Sequence, residues 1–260
     1  MLRTSVHGPI TRIQLARTVA GRPLFTVSAY LLEDTLIDTG CPHTAGELAA
    51  FSRSRSVQRI LNTHAHEDHF GGNARLGLPA LAPALALPAM VCPPRIPLYR
   101  RIVWGQPSPC RAEALGQAVA IGPYTLRVVP TPGHSSDHTC FFEERQGWLF
   151  TGDLFLSPHT RYLRRDEDAH ALLRSLELVR DLASALLLCS HAGFVADPRP
   201  ALTRKIAFLR ELADRAGELR QQGLAVATIA RRLLGPEGWM TLASRGEFSK
   251  RNLIRSLLRS

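Results

Sequence analysis

The sequence predicts a mixed α/β domain over residues 1–198 followed by a basic, helical extension over residues 199–260. Two observations predict it. Short apolar runs of strand length, bounded by Gly, Pro, Asn or Asp, recur from residue 24 to residue 189 and are interrupted by helix-period segments. Beyond residue 200 the apolar residues fall only three or four apart, and no strand competes there.

Residues 24–38 read as two strands split by the turn-forming pair Glu33-Asp34, the second ending on Asp38-Thr39-Gly40. A helix pattern covers 43–52, and Val57 to Leu61 forms a strand that runs straight into Asn62-Thr63-His64. The Pro- and Ala-rich stretch 77–110 has no clean period; it reads as loop with short structured pieces, suited to walling a pocket. Strands resume at 117–121, 124–130, 138–143 and 147–151, a helix fits 168–182, and Ser184 to Cys189 makes a last strand just before His191. The extension predicts helices over 201–222, 226–234 and 249–258.

Composition narrows the class. The chain has 45% apolar and 21% charged residues and no apolar run long enough to span a bilayer, so a membrane protein is excluded by expectation. The first twenty residues scatter charges where a signal peptide needs an apolar core, which predicts a cytoplasmic protein. Five cysteines, widely spaced and never paired as CxxC, suit reduced thiols. The net charge is +10, and residues 201–260 carry twelve Lys or Arg against five Asp or Glu, so most of the excess lies in the extension. Any polyanion partner, nucleic acid included, is expected there, with Arg251, Arg255 and Arg259 forming a stripe at four-residue spacing.

The densest chemical signal is Thr63-His64-Ala65-His66-Glu67-Asp68-His69-Phe70-Gly71-Gly72. In an extended segment residues two apart point the same way, so His64 and His66 can grip one ion together. Asp68 and His69 reach a second ion only if the chain bends after His66, and Gly71-Gly72 permits such a bend. His134, Asp153 and His191 each follow an expected strand, where a loop would present them beside that cluster.

These segments, LIDTG at 36–40, the His-rich run, TPGHSSDH at 131–138, TGDLF at 151–155 and SHAG at 190–193, resemble the metallo-β-lactamase superfamily in kind and order. The resemblance spans most of residues 10–195. It implies a four-layer αββα sandwich with two divalent metal ions at one edge. It assigns His64, His66 and His134 to the first ion, Asp68, His69 and His191 to the second, and Asp153 to a bridging position, with Asp38 beneath the site and His138 as a non-ligand neighbour. Imidazoles and carboxylates suit zinc, while iron or manganese accept similar ligands.

The implied chemistry is hydrolysis, with the ions activating water and polarising the substrate and with Asp68 or Asp153 steering the proton. TPGHSSDH and TGDLF look most like glyoxalase II and its relatives, which points to a small ester or thioester; the β-lactamases proper depart from TGDLF at the bridging position. Two alternatives share the fold: an iron-dependent persulfide dioxygenase and a metal-dependent ribonuclease or phosphodiesterase. After Asp153, the loop from Ser157 to Arg165 offers His159, Arg161, Tyr162 and Arg164 as substrate-binding candidates, since guanidinium forks suit carboxylate or phosphate.

Overall fold

Along the strand Val27–Leu32, Tyr30 and Leu32 turn one way while Ala29 and Leu31 turn the other, and all are buried, as happens when both faces of a strand are covered. The same alternation runs through the second half of the chain, where Phe141, Phe150 and Leu188 oppose Phe142, Leu149 and Leu187. The first set interdigitates with Tyr30, Leu32, Ile37 and Leu61 as the filling between two sheets. Outside one sheet lies the helix Ala45–Ser54, with Leu48 fully buried against Ile13, Leu31 and Leu36. Outside the other lie Ala169–Arg180 and the helices of the extension. The result is a four-layer αββα sandwich, seen in a computed structural model that describes residues 1–259.

The first sheet has seven strands in the order Leu2–His7, Ile10–Leu15, Val27–Leu32, Thr35–Ile37, Arg59–Leu61, Ala80–Ala82 and Glu113–Ala114. Its first three pairings are antiparallel and its last three parallel. The second sheet runs Ala118–Ile121, Tyr124–Pro130, Thr139–Glu143, Trp148–Gly152, Leu186–Cys189 and Gly193–Val195, with one parallel pairing, Trp148–Gly152 beside Leu186–Cys189. That pairing requires a crossover, supplied by Ala169–Arg180, whose first turn is capped by Asp168 accepting from the His170 and Ala171 amides.

The extension forms Pro198–Gln221, Val226–Leu234, the short helix Trp239–Ala243 and Lys250–Leu257. Leu202, Ile206, Leu209, Ile229, Leu253 and Ile254 share one core with Leu172, Leu176 and Leu187 of the α/β body. The apolar side of its last helix is therefore committed to packing, and Arg251, Arg255 and Arg259 remain on the exposed side. Ser260, the last residue of the expected extension, lies outside the described residues.

Three features differ from the sequence expectation. The hairpin Leu2–His7 with Ile10–Leu15 stands where the sequence shows only scattered charges, because its outer strand is exposed and carries no apolar alternation. The extension does contain a strand, Phe248–Ser249, paired antiparallel with Leu163–Arg164; two residues show no period, and the strand exists only through its partner. The short helix Trp239–Ala243 escaped the helix pattern because it buries none of its residues.

Candidate metal centre and active-site pocket

Five loops that leave the carboxyl ends of strands in the two sheets deliver the site. Asp38 follows Thr35–Ile37, His64 follows Arg59–Leu61, His134 follows Tyr124–Pro130, Asp153 ends Trp148–Gly152, and His191 follows Leu186–Cys189. The His-rich run bends as the second-ion geometry needs: the His69 and Phe70 amides donate back to the His66 carbonyl at 2.9 and 3.1 Å. Gly71 packs so closely on the Glu67 carbonyl and the Pro42 ring that a Cβ there would collide with both.

Two groups of donor atoms converge, His64, His66 and His134 in one and Asp68, His69, Asp153 and His191 in the other, with the ligand atoms of each group within 4.8 Å of one another. In the first group, His64 Nε2 and His134 Nε2 lie 2.8 and 2.9 Å from His66 Nδ1. Asp153 touches both: its Oδ2 is 3.3 Å from His134 Nε2 and 3.4 Å from His191 Nε2, and its Oδ1 is 3.3 Å from His69 Nε2. His69 Nε2 and Asp153 Oδ1 are buried without a hydrogen-bond partner, their mutual approach lacking the required geometry. Those two unsatisfied atoms, together with a donor set of three imidazoles in one group and two imidazoles with two carboxylates in the other, fit divalent ions.

The rings are aimed by what their other nitrogens meet. His69 Nδ1 donates to Asp38 at 2.8 Å, His191 Nδ1 donates to the Thr26 carbonyl at 2.7 Å, His64 Nδ1 meets Thr63 Oγ1 at 3.0 Å, and Glu167 lies 3.5 Å from His134 Nδ1. Asp38 itself holds a left-handed backbone (φ 61°) while accepting from the Thr63 amide and hydroxyl, both at 2.8 Å. His138 accepts the Asp153 amide at Nε2 (3.2 Å) and meets Thr131 Oγ1 through Nδ1 (2.9 Å), which braces the loop carrying Asp153. Gly152 (φ 48°) leaves room for that ring, since a Cβ there would press on His138 Nε2.

Burial pushes the imidazolium forms of His64 and His66 well down, helped at His64 by His69 and at His66 by the Arg164 guanidinium. Burial and the neighbouring His134 hold His138 down to about 3, so it stays neutral. At the second group burial works against charge but loses: Asp153, Asp38 and Asp68 raise His69 well above its usual range, and Asp153 lifts His191 to about 10. Burial likewise opposes the Asp153 carboxylate, yet His191 and His69 keep its carboxyl well below the usual range. In the first group His64 and His66 thus stay neutral, and in the second the carboxylates stay ionised.

Above the donors opens a cavity of about 470 Å³, walled by the α/β body, the segment Leu98 to Trp104 and the extension. The Pro/Ala-rich stretch does wall a pocket. Tyr162 and Arg164 line it; His159 and Arg161 do not. His159 packs edge-on against Phe208 at 5.2 Å, and Arg161 is exposed, because pairing of Leu163–Arg164 with Phe248–Ser249 turns only the end of that loop inward. Several site residues carried no sequence signal. Arg100 holds Glu67 through two nitrogens and reaches Glu247 at 3.2 Å, while Arg164 pairs with Asp166 at 2.8 Å. Glu67 is visible only as a letter inside the His-rich run; its partner Arg100 lies 33 residues away, and Glu247 a further 147 beyond Arg100. Phe25, Trp104 and Trp239 also line the cavity, each from a segment whose periodicity says nothing about a pocket.

Comparison with known proteins agrees with this geometry. The model of the metallo-beta-lactamase superfamily matches residues 22–191. A hydroxyacylglutathione hydrolase of Methylococcus capsulatus is 32% identical over 189 residues, covering 71% of this chain and 69% of that one. A thioesterase of Emericella nidulans is 32% identical over 177 residues, 66% of this chain and 46% of its own, and an atrochrysone carboxyl ACP thioesterase of Aspergillus fumigatus is 28% identical over 209 residues, 74% and 60%. The matches therefore span less than two thirds of these two thioesterases. A solved beta-lactamase domain protein from Burkholderia ambifaria superposes with a TM-score of 0.72 at 22% identity, covering 98% of this chain and 88% of the other, a likeness of fold. Nothing in these relatives supports the nucleic-acid reading of the basic extension, and no helix among the described residues is long and apolar enough to cross a membrane.

Proposed function

The chain belongs to the metallo-beta-lactamase superfamily, as a hydrolase, and we propose that it cleaves a small ester or thioester with water at a dinuclear, zinc-suited centre. The observation that carries this reading is Asp153, whose two oxygens face both donor groups at once. Divalent ions at these donors supply Lewis acidity, which brings the pKa of water toward neutrality and polarises an acyl oxygen.

The chain's own residues do the rest. His64 and His66 remain neutral and so keep their lone pairs available as donors, and His134 completes their group. Asp68, held ionised beside His69 and 3.5 Å from His191, is the carboxylate placed to take a proton from water, with Asp153 across the site. Asp38, Thr26, Thr63 and Glu167 orient the rings, and the apolar walls of the cavity keep bulk water from the reacting acyl group. Relatives named for thioester and hydroxyacylglutathione hydrolysis favour a carboxylic acyl substrate over a phosphodiester.

Elemental analysis of gently purified protein, followed by a panel of thioesters, lactones, phosphodiesters and persulfides, tests the proposal. About two zinc ions per chain with thioester or ester turnover supports it. A single iron with oxygen consumption on persulfides, or turnover confined to phosphodiesters, overturns it.

A further inference from the structure

Deepening the ester or thioester reading just given, and resting on it, we infer that the substrate enters with an extended apolar acyl group, seated against an aromatic wall that runs from the metal donors to the mouth of the cavity. The wall is continuous. Trp104 lies 6.1 Å from the His191 ring, Phe25 lies 6.3 Å from Trp104, and Trp239 stacks on Phe25 at 6.4 Å with their planes 28° apart. These three rings come from the loop before Val27–Leu32, the end of Leu98–Val103 and the extension, so three separate segments converge to make one apolar surface. Phe25 is 39% exposed and Trp239 65% exposed at the open end, an arrangement that leaves large apolar area in water until something covers it. Leu156, Met240 and Phe248 complete the lining.

The charged groups in the cavity argue for the same class by being already spent. Arg100 is held by Glu67 and Glu247, Arg164 by Asp166, and Glu167 by His134. Among the described lining residues, Arg100 is occupied by two carboxylates, while Arg164 gives Nε and Nη2 to Asp166 and turns Nη1 to His66 Nε2 at 3.0 Å, so neither guanidinium faces the acyl part unpartnered. A carboxylate or phosphate on the acyl part would have to break the buried Arg100–Glu67 pair, draw Arg164 away from Asp166 and His66, or lie unpaired against aromatic carbon, and the first and last are expensive. An apolar chain meets no such penalty and gains with each methylene removed from water. The volume of about 470 Å³ lies within the range of cavities that enclose a small organic ligand. Trp239, Met240, Ala243 and Phe248 all belong to the extension, which is accordingly a wall of the cavity.

The test uses the full-length, metal-loaded protein and N-acetylcysteamine thioesters carrying acetyl, butyryl, octanoyl, benzoyl and succinyl groups. Expected is a rise in kcat/KM of roughly threefold per methylene from acetyl to octanoyl, benzoyl well above acetyl, and succinyl lowest. Trp239→Ala, at an exposed site, lowers the octanoyl-to-acetyl ratio at least tenfold. In parallel, octanoate is titrated against intrinsic tryptophan fluorescence, to which Trp104 and Trp239 in the cavity contribute beside Trp148 outside it; saturable quenching whose half-saturation concentration rises in Trp239→Ala supports the inference. Octanoyl and acetyl thioesters within threefold of each other, or a preference for succinyl, overturn it while leaving thioester hydrolysis standing. Saturable octanoate quenching in a protein that cleaves no ester or thioester keeps the apolar ligand class and removes the hydrolase reading instead. No quenching at millimolar octanoate overturns the inference by itself.

Discussion

Asp38 Oδ2 lies 2.8 Å from His69 Nδ1, and the contact fixes which nitrogen of His69 faces the metal centre. The two residues are 31 positions apart, one at the end of a strand of the first sheet and the other past the bend of the His-rich run. Asp38 accepts from the Thr63 amide and hydroxyl as well, so a single buried carboxylate holds both the entry to that run and its last ligand.

Asp38→Ala is therefore expected to weaken metal binding by roughly 10- to 100-fold, the usual effect of removing a carboxylate behind a ligating imidazole. Competition against a chromogenic chelator measures it. An unchanged affinity would show that His69 is oriented by something else.

Asp68→Ala should abolish hydrolysis and reduce the metal content from about two toward one ion per chain, with circular dichroism unchanged, because it deletes one of four donors in the second group. Activity within threefold of the parent removes Asp68 from the mechanism.

Arg100→Met leaves Glu67 buried with its ion-pair partner gone, a change that costs about 3–5 kcal/mol when one member of a buried pair is lost. Denaturant unfolding of the metal-loaded protein reads the loss. Arg100→Met combined with Glu67→Gln should recover part of it, since the uncompensated charge is then absent; no recovery would locate the damage in packing.

Lys205 is fully buried, donates to the Leu154 carbonyl at 3.0 Å and has its ammonium pushed down by burial to about 8 from a usual 10.5. The folded-state value is the lower one. Below about pH 8 the charge is buried at full cost; between there and 10.5 the unfolded chain holds the extra proton, so stability rises with pH across that window. The shift corresponds to about 3 kcal/mol. Lys205→Met removes this dependence, and the stability difference between variant and parent should move in the parent's favour by up to that amount from pH 7.5 to pH 10. Urea titrations at both values check it, and a difference independent of pH would mean that Lys205 holds its proton equally in the folded and unfolded chain, its ammonium not pushed down by burial.

The resemblance to the metallo-β-lactamase superfamily implies the four layers, while the alternation of apolar residues, the strand-ending His and Asp and the run from His64 to His69 mark out a mixed α/β body and seven candidate donors. Each is a local pattern: period-two burial on a strand, or ligands two residues apart on one extended segment, is set by backbone geometry that the sequence carries with it. The pocket is another matter. Arg100 meets Glu67 and Glu247, Phe25 meets Trp104 and Trp239, and Leu163–Arg164 finds Phe248–Ser249 only once the chain has closed on itself. His159 and Arg161, as plausible by residue type as Tyr162 and Arg164, are turned away from the cavity by that same two-residue strand pairing. The basic extension likewise reads as an appendage from its charge, yet its apolar positions join the core and its edge lines the cavity. Contacts between segments far apart in sequence leave no periodicity, so ligand chemistry was determined by the sequence alone, whereas the shape and polarity of what surrounds it were decided by tertiary packing.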